Sequence, residues 1–519
     1  MITAIVHLVA FLVENCTGVA ITETQGKQTD FEQGTNLQSS LLEEPKSCPL
    51  QDFITLDPED VIFQEFDPPK YLENEPQAWK INLPTFKKSF WECLKTVLLI
   101  QGLAVPLTGI IAVIVIFLDF HTAEWCYDES WTKIPKNVQR LKITVKCLEC
   151  FLIQVWDFFF LCILFPFSLI RELNVHTLIL AGCFLDVVLR LYIQMYGVFK
   201  GPWLSIPLDS MFGFIMMVNH YRLARHLHPH SMKDALKFHF VITLQLFLAV
   251  PVWFVLVYEM IPFYLHRQKS TKLIIAALYP LLTLIPKAVS RLAAQSDILK
   301  EVIHPGSAHI LVAVTYGVSA VVFRVLQAEL TSSIGLFIAL GIAHAIIDLL
   351  ERITITMRDH IWEHLYRLVR RQGSKQPKYR SLRSRRLIAD VSIQIMMHEA
   401  SALMIGLGFF NIYQFIYGRR SYTIYQCITD FLTGTSIGLA IDMTINTLSL
   451  LIQTRLINLP VNRVWKKKWR HHILANSLIA YISVLFFSEH LFQVIRDKYD
   501  SHLGFDVLHG LNCSFPIFL

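Results

Sequence analysis

The stretch HILVAVTYGVSAVVFRVLQAELTSSIGLFIALGIAHAIIDLLE, residues 309–351, decides the fold class of this chain. It holds two apolar runs, 309–327 and 333–351, which are separated by a short polar break. Each run approaches the roughly 20 residues that an α-helix needs to cross a hydrocarbon core about 30 Å thick. Because open strands and irregular backbone cannot face lipid, both runs are predicted to be transmembrane helices.

The composition of the whole chain also indicates a membrane protein. Of its 519 residues, 53% are hydrophobic and 17% are charged, whereas a soluble domain carries about 25% charged residues. The mean hydropathy is +0.44. The sequence therefore predicts an all-α, polytopic integral membrane helix bundle of about 11 transmembrane helices, within a range of roughly 10 to 12. The predicted spans are 95–118, 150–170, 176–197, 203–221, 240–264, 273–290, 309–327, 333–351, 391–417, 431–454 and 473–494.

The chain is predicted to have three parts. Residues 1–94 form a cytoplasmic tail, which is acidic and largely disordered because residues 21–90 are rich in Gln, Glu, Asp, Pro and Ser. Residues 95–494 form the multi-pass domain, and residues 495–519 form a short C-terminal tail. The apolar start, residues 1–20, is interpreted as a peripheral helix because it lacks a basic leader, with a signal segment or a span as alternatives.

Basic residues are concentrated in three loops, 222–239, 352–389 and 455–472. With eleven spans all three loops lie on one side, which the positive-inside rule assigns to the cytoplasm. The N-terminus is then cytoplasmic, and the C-terminus is outside or lumenal, in the plasma membrane or an endomembrane. Asn512 of the sequon Asn512-Cys-Ser is then the predicted glycosylation site. The lipid bilayer is one predicted partner. No nucleic-acid partner is predicted, because the basic residues lie in these loops.

A short motif in the acidic tail predicts a protein partner. Pro68-Pro69-Lys70-Tyr71 resembles the PPxY ligand of WW domains. A polyproline segment is already extended, so that it docks in an aromatic groove at low entropic cost. The alternative is a chance tetrapeptide in a tail that contains several prolines.

Ionisable side chains within the predicted spans are the main functional candidates. A charge at the centre of a span costs about 2.5–3.5 kcal/mol on insertion scales, so it is expected to face the bundle interior. Asp186 and Arg190 are one helical turn apart, and Asp442 lies at a similar depth. We predict that these three residues line a substrate or ion pathway. Structural ion pairs, or side chains that reach to the interface, are the alternatives.

A second set of polar residues is a candidate metal site. His344 and Asp348 are four residues apart on one helix, so both can bind one ion. His398 and Glu399 lie at a similar depth in the following span. The sequence requires no cofactor, and a divalent metal is compatible with this set.

Two further features are interpreted structurally. Gly434 and Gly438 form a GxxxG pattern, which permits close approach of two helices. His471-His472 lies in a basic loop beside tryptophans and is interpreted as an interfacial anchor.

The leading functional prediction is a secondary transporter or carrier of a small solute or ion. It depends on the number of spans and on the charges near mid-depth. One alternative is an intramembrane enzyme that is metal-dependent and lipid-directed, and another is a receptor or scaffold that acts through its tail and loops. The sequence contains no Walker A motif, which excludes an ATP-driven pump with its own P-loop.

Overall fold

The regular structure of the chain is helical, and the residues described below contain no β-strand. The structure is a computed structural model. It describes residues 85–119, 131–195, 205–254, 259–265, 267–300, 302–304, 306–330, 333–369, 382–417, 423–457 and 459–500.

Fourteen α-helices lie within these ranges, together with a short 3-10 turn at Trp131–Lys133. The helices are α1 (Phe86–Asp119), α2 (Lys136–Leu164), α3 (Phe167–Glu172), α4 (Val175–Met195), α5 (Ser205–Leu227), α6 (Met232–Phe254), α7 (Ile261–Leu265), α8 (Lys269–Ala294), α9 (Asp297–Lys300), α10 (Ile310–Ala328), α11 (Ile334–Val369), α12 (Leu382–Tyr417), α13 (Ile424–Arg455) and α14 (Val461–Asp500).

Eight helices in the described part of the chain are long and apolar enough to cross a membrane, namely α1, α2, α4, α8, α10, α11, α12 and α13. The chain is therefore a multi-pass membrane protein. Helices α5, α6 and α14 overlap the predicted spans 203–221, 240–264 and 473–494 but do not reach the same apolar length in their described residues. The total of eleven spans accordingly remains a prediction.

One predicted span differs clearly from the observed helix. The prediction placed a span at 150–170, whereas α2 begins at Lys136 and ends at Leu164. Phe165 is extended, with φ −127° and ψ 153°, and it precedes Pro166. A proline disfavours helical backbone at the residue before it, so the helix stops there and a short helix follows.

Helix α10 is the central helix of the bundle. All of its residues are buried, and it packs on α12, α8, α6 and α14. Its crossing with α12 is close, because a Cβ atom on Gly406 would lie 2.9 Å from the carbonyl carbon of Arg324. The backbones of α10 and α12 therefore touch at the level of this arginine.

Helices α12 and α13 also pack closely. A Cβ atom on Gly438 would lie 2.6 Å from Leu403, and one on Gly434 would lie 3.3 Å from Leu407. This packing agrees with the interpretation of the GxxxG pattern.

Helix α11 shows how the bundle is oriented towards lipid. Its exposed face carries Ile342, Ile346 and Leu350, which are 43%, 44% and 54% exposed. Its opposite face carries His344 and Asp348, and both side chains are buried. Apolar side chains point outward and ionisable ones inward, as expected for a helix that faces lipid on one side.

Candidate functional site

Arg324 of α10 connects three helices through its guanidinium group. It donates to both carboxylate oxygens of Asp442 on α13, at 2.8 and 2.7 Å. It also contacts Glu399 of α12, with Nη2 3.0 Å from Oε2. The remaining nitrogen donates to Gln327 at 2.9 Å, and Gln327 in turn donates to the carbonyl of Phe337. The arginine is 2% exposed, so it does not reach to the interface.

His344 of α11 joins the same group from the opposite side. Its Nε2 lies 3.3 Å from Oδ2 of Asp348 and 3.4 Å from Oε2 of Glu399. The imidazole stacks on Phe323 with ring centroids 3.5 Å apart, which fixes its plane. We refer to the following five residues as the central cluster: Arg324, His344, Asp348, Glu399 and Asp442.

A second cluster lies between α8, α10 and α11. Lys287 is 3.1 Å from Glu351, and the hydroxyl of Tyr316 donates to the same carboxylate at 3.0 Å. Arg291 donates to Tyr316 and also binds Asp359, with Nη2 to Oδ1 at 2.8 Å. All five side chains are buried. The second cluster is therefore Lys287, Arg291, Tyr316, Glu351 and Asp359.

The two clusters adjoin each other along α10 and α11. Lys287 is near enough to interact electrostatically with both Asp348 and Glu399. Asp348 and Glu351 are three residues apart on one helix, and such residues are neighbours on its surface. The central and second clusters thus form one chain of ionisable groups from Asp442 to Asp359, which we call the charged path.

The central cluster carries excess negative charge. Its three carboxylates face one guanidinium, which leaves a net charge of about −2 with His344 neutral and about −1 with the imidazole protonated. The nearest further cations, Lys287 and Arg352, bind Glu351 and Asn446 respectively. A proton or a small cation at this point would reduce the imbalance.

The other predicted pathway residues lie in a different place. Asp186 pairs with Arg190 one turn away on α4, at 3.1 Å, and accepts a hydrogen bond from Gln154 of α2. Asp157 of α2 pairs with His220 of α5, also at 3.1 Å. The structure thus separates Asp186 and Arg190 from the central cluster, which contains Asp442.

Three of the four candidate metal ligands come together. The ligand atoms of His344, Asp348 and Glu399 all lie within 4.8 Å of one another. His398 is not part of this group, because successive residues of a helix point about 100° apart. Its imidazole is hydrogen-bonded to Asn476 of α14 instead.

A separate polar group lies at the starts of α10 and α12. His472 Nε2 is 3.1 Å from Asp390 Oδ1, and His309 packs against His472 with ring centroids 4.7 Å apart. His471 and His472 are 5% and 0% exposed. The interpretation of His471-His472 as an interfacial anchor is therefore wrong.

Other predicted residues lie outside the described part of the chain. They are Pro68, Pro69 and Tyr71 of the WW-type motif and Asn512 of the glycosylation sequon.

Sequence reasoning did not select Arg324, Lys287 or Arg291 as site residues. The signal that it passed over is the position of Arg324 in a run of otherwise apolar residues. Arg324 lies four residues before the end of α10, where a long side chain can snorkel to the interface, so only the burial in the structure excludes that alternative.

Comparisons of the chain with protein-family models, with curated proteins and with solved structures found no match. The buried geometry of this multi-pass membrane protein therefore carries the functional argument.

Proposed function

We propose that the protein is a secondary transporter and that its substrate or coupling ion moves along the charged path. The observation that carries the proposal is the continuity of this path, which links ionisable groups on five helices. A structural ion pair needs only two partners, whereas Arg324 is shared between Glu399 and Asp442. Shared carboxylates that exchange partners are what a carrier needs in order to bind and release a charge.

The sign of the central cluster indicates a cation. Its excess negative charge attracts a proton or a metal ion and repels an anion. The Nε2 atom of His344 lies 3.3 Å from Asp348 and 3.4 Å from Glu399, so a proton can pass between the imidazole and either carboxylate. We therefore infer a carrier that moves a cation, or a neutral solute together with a proton.

The full topology belongs to the same proposal. We propose eleven spans with the basic loops in the cytoplasm, since each predicted span overlaps a long helix. Two contacts support a common side for the loops 352–389 and 455–472. Arg385 donates to the carbonyl of Ile457 at 2.9 Å, and Asp390 contacts His472.

The test is proton and cation flux in liposomes that contain the purified protein. Vesicles are loaded with a pH-sensitive dye, and gradients of Na⁺, K⁺, Mn²⁺ or Zn²⁺ are imposed in turn. Glu399→Gln and Asp442→Asn are expected to reduce the flux to below about one tenth. This is the effect of losing about 1.4 kcal/mol or more of cation stabilisation.

Asp186→Asn is the matched control, because it neutralises a buried carboxylate outside the charged path. It is expected to retain flux close to that of the wild type. If no gradient drives flux through the wild-type protein, or if all three variants lose flux equally, the proposal is contradicted. Size-exclusion chromatography of each variant separates loss of flux from loss of folding.

A second function is favoured by the spacing of His344, Asp348 and Glu399. Neighbouring ligands of a tetrahedral zinc ion with bonds of about 2.0–2.1 Å lie roughly 3.3–3.5 Å apart, close to the 3.3 and 3.4 Å observed. In a carrier this ion is cargo, whereas in an intramembrane hydrolase it is a resident cofactor. Zinc that survives chelator dialysis and is lost in His344→Gln would favour the enzyme.

A further inference from the structure

The polar group at the starts of α10 and α12 is separate from the charged path. It consists of His309, which directly precedes α10, Asp390 of α12 and His472 of α14. Their ligand atoms lie within 4.8 Å of one another, and all three side chains are buried. Two imidazoles and one carboxylate are a ligand set that binds zinc or another divalent transition metal.

His309 is the observation that points to a missing ligand. It is 0% exposed, and neither of its ring nitrogens has a hydrogen-bond partner among the described residues. Burying an imidazole in this way costs stability unless another group binds it. A metal ion between His309 and His472 would satisfy one nitrogen of each ring.

Asp390 is already arranged for such an ion. Its Oδ2 accepts a hydrogen bond from Arg386 at 2.7 Å, while Oδ1 faces His472. A ligand carboxylate that holds the metal with one oxygen is commonly fixed through the other. The helical backbone of α14 is broken at Lys468, where φ is −126° and ψ is 22°, shortly before His472.

His471 supplies a nearby third imidazole. Its ring centroid is 5.1 Å from that of His309. It is hydrogen-bonded to the backbone carbonyl of Ile163, and its Nδ1 has no partner among the described residues. A ring that donates one N–H to a carbonyl presents the other nitrogen as a lone pair, as metal-bound histidines do.

We propose that His309, Asp390 and His472 form a zinc-binding site that joins the starts of α10 and α12 to α14. The site goes beyond the proposed transport function and does not depend on it. Because zinc prefers four nitrogen, sulfur or oxygen ligands, His471 or a water molecule completes the set. Zinc bound there would hold together the helix ends beside the loops 352–389 and 455–472.

Gln394 gives the proposal a specific consequence. Its Nε2 donates to Nδ1 of His472 at 2.9 Å, so the other ring nitrogen, Nε2, carries the proton that faces Asp390. Zinc must replace that proton, and Nδ1 must then become the donor. The carboxamide of Gln394 would then have to rotate so that its oxygen accepts a hydrogen bond from Nδ1–H of His472. That oxygen has no partner among the described residues.

The experiment measures zinc bound to the purified full-length protein. The protein is dialysed against a chelator, incubated with ZnCl₂ and desalted, and zinc per chain is determined by inductively coupled plasma mass spectrometry. His309→Gln and His472→Gln are expected to bind about one zinc ion fewer than the wild type. His230→Gln, which changes an exposed histidine, and His344→Gln, which changes the central cluster, should not remove this ion.

Gln394→Glu keeps the test decisive if the histidine variants fail to fold. The introduced carboxylate can accept a hydrogen bond from Nδ1–H of His472 without any rotation. The affinity for zinc is therefore expected to rise by about tenfold, at the lower end of the effects that groups bonded to a metal ligand have on metal affinity. A purely structural hydrogen bond predicts no such gain. The proposal is overturned if the wild type binds no zinc, if zinc is lost only in His344→Gln, or if Gln394→Glu binds zinc no more tightly.

Discussion

Charged side chains are buried in two regions of this bundle, and their arrangements differ. In α2, α4 and α5, the buried carboxylates of Asp186 and Asp157 are each paired with one ionisable side chain, Arg190 one turn away and His220 of α5 respectively, which we call local pairing. In the charged path the groups are shared, so that the single side chain of Arg324 on α10 binds carboxylates on both α12 and α13. Local pairing neutralises a charge, whereas sharing makes the position of each helix depend on its neighbours.

The difference shows what kind of burial points to function. A local pair can be broken without altering any other ion pair. In the central cluster, a change in the charge of Glu399 alters the balance at both Arg324 and His344, which lie on different helices. Chained charges are therefore better evidence for a transport pathway than buried charges alone.

The strongest test of this comparison is removal of the shared cation. Arg324→Met leaves Glu399 and Asp442 buried without their counter-charge, which is expected to cost about 3–5 kcal/mol. Arg190→Met should cost clearly less, because Asp186 retains its hydrogen bond from Gln154. Fluorescence-detected size-exclusion chromatography after heating measures the melting temperature of both variants.

A combined variant tests the physical reason for that effect. Arg324→Met together with Glu399→Gln and Asp442→Asn removes the cation and both carboxylates that it serves. We expect a higher melting temperature than for Arg324→Met alone. If the combined variant is no more stable, uncompensated charge is not the cause of the loss.

A second prediction concerns the close crossing that fixes the height of Arg324. Gly406→Ala would place a methyl group 2.9 Å from the backbone of Arg324, and such overpacking is expected to cost about 2 kcal/mol. Gly408→Ala on the same helix is the control, since the nearest atom to its Cβ, from Phe431, is 3.9 Å away. Equal melting temperatures for the two variants would contradict the close crossing.

The smallest predicted effect is the difference in stability lost when either of two tyrosine hydroxyls is removed. Tyr316→Phe removes the group that links Arg291 to Glu351 and is expected to cost about 1.5 kcal/mol, because both of its hydrogen-bond partners are charged. Tyr221→Phe on α5 should cost less than about 0.5 kcal/mol, because its hydroxyl donates a weak hydrogen bond to the sulfur of Met232, at 3.6 Å. Thermal melting of both variants, measured side by side, checks the difference.

Much of the fold was predictable from the sequence because apolar length alone identifies a transmembrane helix. Helices α10 and α11 agree with the predicted spans 309–327 and 333–351 to within about a residue at their starts. The end of α2 was less predictable. The apolar residues continue to about residue 170, but Pro166 ends the helix before that. Hydropathy measures side chains and does not register the steric restriction that a proline places on the residue before it.

The candidate site was predictable only within one helix. The pairs Asp186–Arg190 and His344–Asp348 follow from a spacing of four residues, and both occur. The bridge from Arg324 to Asp442 depends on which helices are neighbours, and the order of spans does not determine that. Depth along each helix therefore suggested one common site, although Asp186 lies in a different part of the bundle.

The complete burial of α10 has a consequence for how the chain is made. Its arginine enters the membrane during synthesis, but the carboxylates that bind it lie 75 and 118 residues further along the chain. Chains are synthesised from the N-terminus, so these partners arrive later. An unpaired arginine in lipid is costly in the meantime. We expect the insertion machinery to retain α10 until α12 and α13 emerge, so that the three helices leave it together.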